Sequence, residues 1–176
     1  MYVFRDDPGR LSFAVAVDLP GEVPAIGGDL VADAEDQGRR EYVTRLTQQR
    51  LHQVAFRIRV LRAYQERCAI CRLRHTELLD AAHILPDGHP KGEPIVSNGL
   101  ALCKLHHAAF DRNFLGIRPD YSIEIRHDLL VEHDGPMLQH GLREFHQCGL
   151  LVLPRQEALR PNREFLAERY EVFQRG

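Results

Sequence analysis

Cys68, Cys71, Cys103 and His106 form a C-x2-C…C-x2-H set, and His83, Asn98 and His107 are threaded through it. Two cysteines at i and i+3 bring both sulfurs to one ion across a tight turn, and Cys103 with His106 repeats that spacing. The two pairs supply the four soft ligands of a closed tetrahedral zinc site. The 31-residue gap between them exceeds that of a simple zinc finger, so something must be built inside it. Other readings are weaker. Nothing points to the secretion a disulfide would need, and no βαβ pattern surrounds the CAIC as a redox motif would require. Reduced buried thiols are the bland alternative.

The second set offers different chemistry. A neutral imidazole, with a pKa of about 6.5, takes a proton from water near neutral pH. A carboxamide carries donors and acceptors without titrating, so it can tie a loop in place. Residues 78–85 (LLDAAHIL) read as a strand carrying His83, and Pro86, Asp87, Gly88 and Pro90 then force a turn and loop. Ser97-Asn98-Gly99 reads as a second turn, and residues 100–111 as a helix. On that helix the neighbouring His106 and His107 diverge by about 100°, so one can face the zinc while the other faces a second site.

These residues resemble the HNH (His-Me finger) endonuclease family in its zinc-bearing form. The resemblance spans residues 57–117 and centres on AAHI…SNGLALCKLHH, with His83, Asn98 and His107 as the H, N and H at intervals of 15 and 9. It implies an α+β chain with a ββα-metal (HNH) core, a structural Zn2+ site, and flanking helices and β-hairpins. It implies hydrolysis of DNA phosphodiesters in a cytoplasmic restriction or defence enzyme. His83 would be the general base and Asn98 the holder of the loop. His107 would bind a catalytic divalent ion (Mg2+, or Mn2+, Co2+ or Ni2+), and His106 would close the zinc site. Many members carry Asp immediately before the first His; here that position is Ala82, which cannot bind metal. Either Asp80 or Asp111 would replace it, or water would fill the coordination sphere. Two alternatives stand beside the nuclease. One is a catalytically inactive zinc-stabilised DNA-binding module, best supported by Ala82. The other is a structural module in which His83 and Asn98 merely satisfy buried polar groups.

Several elements must position these side chains. Residues 40–67 read as a helix with two apolar rows, one through Val54, Ile58 and Leu61, the other through Phe56, Val60 and Tyr64. Such a helix would be sandwiched between other elements. Residues 114–125 read as a hairpin and 149–153 as a short strand. A C-terminal helix opens with Pro161 in its first turn and buries a stripe through Phe165, Leu166, Arg169 and Phe173. Residues 126–149 give no clear element, and His127, His133, His140 and His146 lack ligand spacing. Residues 1–19 read as a hairpin about Asp7-Pro8-Gly9, and 20–38, rich in Gly, Pro and acids, as a linker. The expected organisation is therefore 1–38, the remnant of an upstream reader domain, and 39–176, the nuclease domain.

Composition sets the outer bounds. The 176 residues are 44% hydrophobic and 27% charged, ordinary for a globular protein. No apolar run nears the ~18 residues that span a membrane, and the N-terminus lacks a basic region followed by an apolar core. The cysteines fit a reducing cytoplasm, with Cys148 left over as a small buried residue. The net charge of −2 is uneven: residues 39–74 hold ten Arg against two Glu, while 1–38 hold eight acids against two Arg. The Arg-rich block reads as a phosphate-facing surface, the bland alternative being a solvated helix face, and Arg72, Arg74, Lys104 and Arg112 are candidate DNA contacts. Phosphate contacts position but do not specify, so base reading falls to an upstream or separate domain. One site cuts one strand, so a double-strand break calls for a homodimer or two visits.

Overall fold

Two apolar pentapeptides, LDAAH and GLALC, pair to make the platform of the chemistry-bearing segment. In the computed structural model, which describes residues 2–7, 12–16, 51–133 and 135–176, they are strands β3 (Leu79–His83) and β4 (Gly99–Cys103). They run antiparallel, with Leu79 opposite Cys103 and His83 opposite Gly99. Helix α2 (Lys104–Asp111) follows β4 at once, giving strand, strand, helix. The expected helix over 100–111 therefore starts four residues late. All five residues of β4 are buried, and a short apolar run without period fits a central strand as well as a helix until a partner is known.

The chain comprises two compact units, Met1–Val43 and Thr44–Gly176. In the first unit, β1 (Tyr2–Asp7) pairs antiparallel with β2 (Ser12–Ala16), the hairpin expected. The linker at 20–38, the start of the long helix and part of the Arg-rich block lie outside the described residues.

In the second unit, helix α1 covers residues 51–63. Phe56, Val60 and Leu61 are buried along it, and Tyr64 just beyond is buried too. Of the other expected row, Val54 and Ile58 are exposed and only Leu61 is buried. The helix buries one stripe on the core rather than lying sandwiched. It also ends four residues before Arg67, because Gln65 and Glu66 take left-handed backbone (φ 57° and 54°) and turn the chain toward Cys68. The buried Tyr64 hydroxyl donates to the Gly99 carbonyl at 3.2 Å, joining this turn to β4.

Strands β5 (Leu115–Ile117) and β6 (Ile123–Ile125) form the expected second hairpin. Helices α3 (His127–Val131) and α4 (Pro136–Gly141) occupy the stretch that showed no clear pattern. The expected strand at 149–153 is absent; only a single bridge joins Ser122 to Gly149, and the Leu151 and Val152 amides instead donate to the Ala69 carbonyl (2.8 and 3.1 Å). Cys148 is exposed rather than buried. Helix α5 (Arg163–Arg175) is capped by Asn162, whose Oδ1 accepts from the amides of Glu164 (2.8 Å) and Phe165 (3.4 Å). Pro161 thus precedes the cap instead of opening the helix. Phe173 packs so close to Gly116 that a Cβ there would lie 2.6 Å from its ring. No helix among the described residues is long and apolar enough to cross a membrane.

Candidate active site

The Cys/His set converges. The ligand atoms of Cys68, Cys71, Cys103 and His106 all lie within 4.8 Å of one another. Cys68 Sγ and Cys103 Sγ stand 3.4 and 3.1 Å from His106 Nδ1, and Cys71 Sγ stands 3.9 Å from Cys103 Sγ. Zinc–sulfur and zinc–nitrogen bonds of about 2.3 and 2.05 Å place tetrahedral ligands about 3.5–3.8 Å apart, so the spacing suits one ion. The first cysteine pair sits in a knuckle: the Cys68 amide donates to Leu73 O (2.9 Å) and the Arg72 amide to Cys68 O (3.0 Å), with Arg72 at φ 62°. His106 Nε2–H donates to Gly141 O at 2.8 Å, which turns the Nδ1 lone pair toward the sulfurs. Proximity also perturbs the protonation of Cys68, Cys103 and His106. Hydrogen bonds from Cys68 and Cys71 hold the Cys103 thiol far below its ordinary range, and the bonds to Cys103 and Cys71 push Cys68 up. Burial alone would lower His106, yet hydrogen bonds and charge from Cys103 and Cys71 raise it to about 9. The cluster could bind zinc, and among the described residues it is the only His/Cys/Asp/Glu group so closely gathered.

On the other side of α2, His107 and His83 line one cleft of about 970 Å³, with Asp80, Asp87, Asp111 and Arg169 among its walls. The adjacent histidines do diverge: His106 is buried at the sulfurs, while His107 faces the cleft. His107 Nδ1 lies 3.6 Å from Asp80 Oδ2, and its Nε2 lies 3.2 Å from Asp111 Oδ2, one helical turn on. Asp80 is also paired with Lys104 and, at 3.4 Å, with Arg57 Nε. Partial burial would raise the Asp80 carboxyl, but Lys104 first, then His107 and Arg57, hold it below the usual range. Ala82 is fully buried in the core. It does not line the cleft, to which β3 contributes Asp80, Ala81 and His83.

Asn98 is completely buried and fully used. Its Oδ1 accepts from the Leu85 amide (2.9 Å), and its Nδ2 donates to Leu85 O (3.0 Å) and Glu93 O (3.1 Å). Its own carbonyl accepts from the Ile84 amide (2.9 Å). One carboxamide thus ties both ends of the loop that leaves His83. His83 itself stacks on Phe56, ring centroids 4.0 Å apart at 19°, and its Nε2 is buried without a hydrogen-bond partner. Burial lowers the His83 pKa, Asp87 opposes this, and His107 lowers it further.

The four cations expected at DNA are elsewhere than the cleft wall. Arg72, Arg74 and Arg112 are exposed outside it, and Lys104 is held by Asp80. The cleft-lining cations are Arg57 and Arg169. Arg169 donates to Asn113 Oδ1 (2.6 Å) and Phe110 O (2.5 Å), tying α5 to the end of α2. A cation inside the apolar stripe of α5 was its signal in the sequence. Phe56 carried no signal beyond core spacing.

Residues 68–118 match a family model described as HNH endonuclease; this segment is of that family. No curated protein matches the chain. A solved structure titled "Modification dependent TagI restriction endonuclease" is similar at 18% identity and a TM-score of 0.46, covering 65% of this chain. The match spans 36% of that longer chain.

Proposed function

We propose, from the HNH-family segment at 68–118, that the chain is a metal-dependent endonuclease that hydrolyses DNA phosphodiester bonds. The observation that carries the reading is the shared cleft: the two histidines come from β3 and α2, and the cleft between them has room for a phosphate and a hydrated cation. His83 takes a proton from water; the oxygen attacks phosphorus, the bond to the leaving oxygen breaks, and that oxygen is protonated in turn. His107 and Asp111 would hold the divalent ion. Their 3.2 Å separation suits neighbouring ligands of an octahedral ion at about 2.1 Å, which are about 3 Å apart. When bound, such an ion stabilises charge developing on the phosphate and leaving oxygens. Asp80 Oδ2 lies 3.6 Å from His107 Nδ1, close enough for its charge to favour the ring orientation that turns Nε2 toward Asp111. Cys68, Cys71, Cys103 and His106 would hold a structural Zn2+ that staples the 68–73 knuckle to the junction of β4 and α2.

A restriction or defence role, a base-reading domain upstream or on a separate chain, and pairing of two copies for double-strand cutting extend this reading from the family resemblance. Plasmid nicking with Mg2+, Mn2+, Co2+ or Ni2+ tests the core claim. Wild type is expected to nick, and folded His83→Ala to lose nicking. Equal nicking by the variant would remove His83 from the mechanism. Tight DNA binding with no nicking under any ion would instead favour the inactive binding module.

A further inference from the structure

The base proposed above has an unusual mounting. A histidine is commonly fixed by a hydrogen bond at the nitrogen away from its task, since its χ2 torsion is broad and soft. His83 Nε2 is buried with no such partner. What touches the ring is Phe56, itself 2% exposed, lying flat against it at 4.0 Å. Phe56 in turn occupies space that Gly99 leaves. Gly99 faces His83 across the β3–β4 pair, and a Cβ there would come within 2.9 Å of Phe56 Cζ and 2.5 Å of Val60 Cγ2. The Tyr64 hydroxyl on the Gly99 carbonyl (3.2 Å) holds the end of α1 at that distance from the strand.

We infer that Phe56 is the positioning residue for His83: its stacked ring, in place of a hydrogen bond, sets the plane of the imidazole, and position 99 is glycine so that this ring can lie there. The inference rests on His83 being the base. A displaced base costs rate without weakening DNA binding, so the signature is a split between kcat and KM. In the full chain, Phe56→Leu keeps an apolar side chain but removes the flat face. It is expected to lower kcat for plasmid nicking roughly tenfold to a hundredfold while KM for DNA stays within about twofold. Leu61→Ala, a buried change on the same helix away from the ring, should leave kcat alone. Wild-type kcat in Phe56→Leu, with His83→Ala inactive, would overturn the role of Phe56 and spare the base. Full activity in His83→Ala would instead overturn the reading beneath. Should Phe56→Leu fail to fold, the wild-type protein decides: His83 ring protons shifted upfield by the Phe56 ring current uphold the stack, and their absence of shift refutes it.

Discussion

Two residues show how much a single side chain decides here. His83 must be neutral to accept a proton, and its burial lowers its pKa below 6.5. Protonation at low pH therefore removes the base, so nicking should rise with pH through a midpoint below 6.5 and flatten above it. A kcat/KM profile at saturating divalent ion, with an acid limb centred well above 6.5, would contradict this. Asn98 makes three side-chain hydrogen bonds to the loop backbone. Asn98→Ala leaves those buried groups without partners, at about 1–3 kcal/mol each where water cannot reach them. Asn98→Asp replaces two donors by acceptors aimed at Leu85 O and Glu93 O, and should be worse. Urea melts should rank wild type, then Ala, then Asp, with nicking lost in both variants. The spacing of His83, Asn98 and His107 told which residues matter. It did not tell which nitrogen of His83 is free, because that depends on Phe56, 27 positions upstream in sequence, and on space left at Gly99.

At the scale of elements, legibility followed the strength of local signals. The β5–β6 hairpin and the capped α5 were readable from turn residues and apolar period. β4 was not, because GLALC has no polar position to reveal a period of two, and its strand character comes from β3 and the core around it. The exposed row of α1 was misread because an apolar residue on a helix reports hydrophobicity, not the presence of a neighbour. The small helices α3 and α4 pack Leu129, Leu130 and Leu138 on the core, and α4 reaches the Cys/His cluster through Gly141 O on His106 Nε2. The Arg169 tie is a further element-level joint. Arg169→Met keeps much of the apolar stem over Phe110, where the guanidinium lies 4.6 Å from the ring, but orphans Phe110 O and Asn113 Oδ1. The expected cost is about 1–3 kcal/mol in a denaturant melt. An unchanged midpoint would mean that water replaces both bonds at no loss.

Across the second unit, helix α2 would divide two ions with opposite demands. The side of α2 facing the sulfurs presents three buried ligands and one half-buried, Cys71, gathered closely enough to share one ion. The cleft side presents acids, Asp80, Asp87, Asp111 and Glu168, with its nearest cations already engaged. A phosphate entering that cleft meets net negative charge, so a divalent ion must be in place before DNA settles there. The two ions should therefore separate under chelation. Dilute EDTA is expected to abolish nicking while circular dichroism and the thermal midpoint stay near those of the untreated protein, and added Mg2+ or Mn2+ should restore cleavage. Asp111→Asn should raise the ion concentration needed for half-maximal nicking by about tenfold to a hundredfold. Cys103→Ser should instead lower the melting midpoint or abolish folding, because binding energy at a closed zinc site is folding energy. If His107→Ala released zinc, or if EDTA treatment unfolded the protein in step with lost nicking, the assignment of one ion to each side of α2 would be wrong.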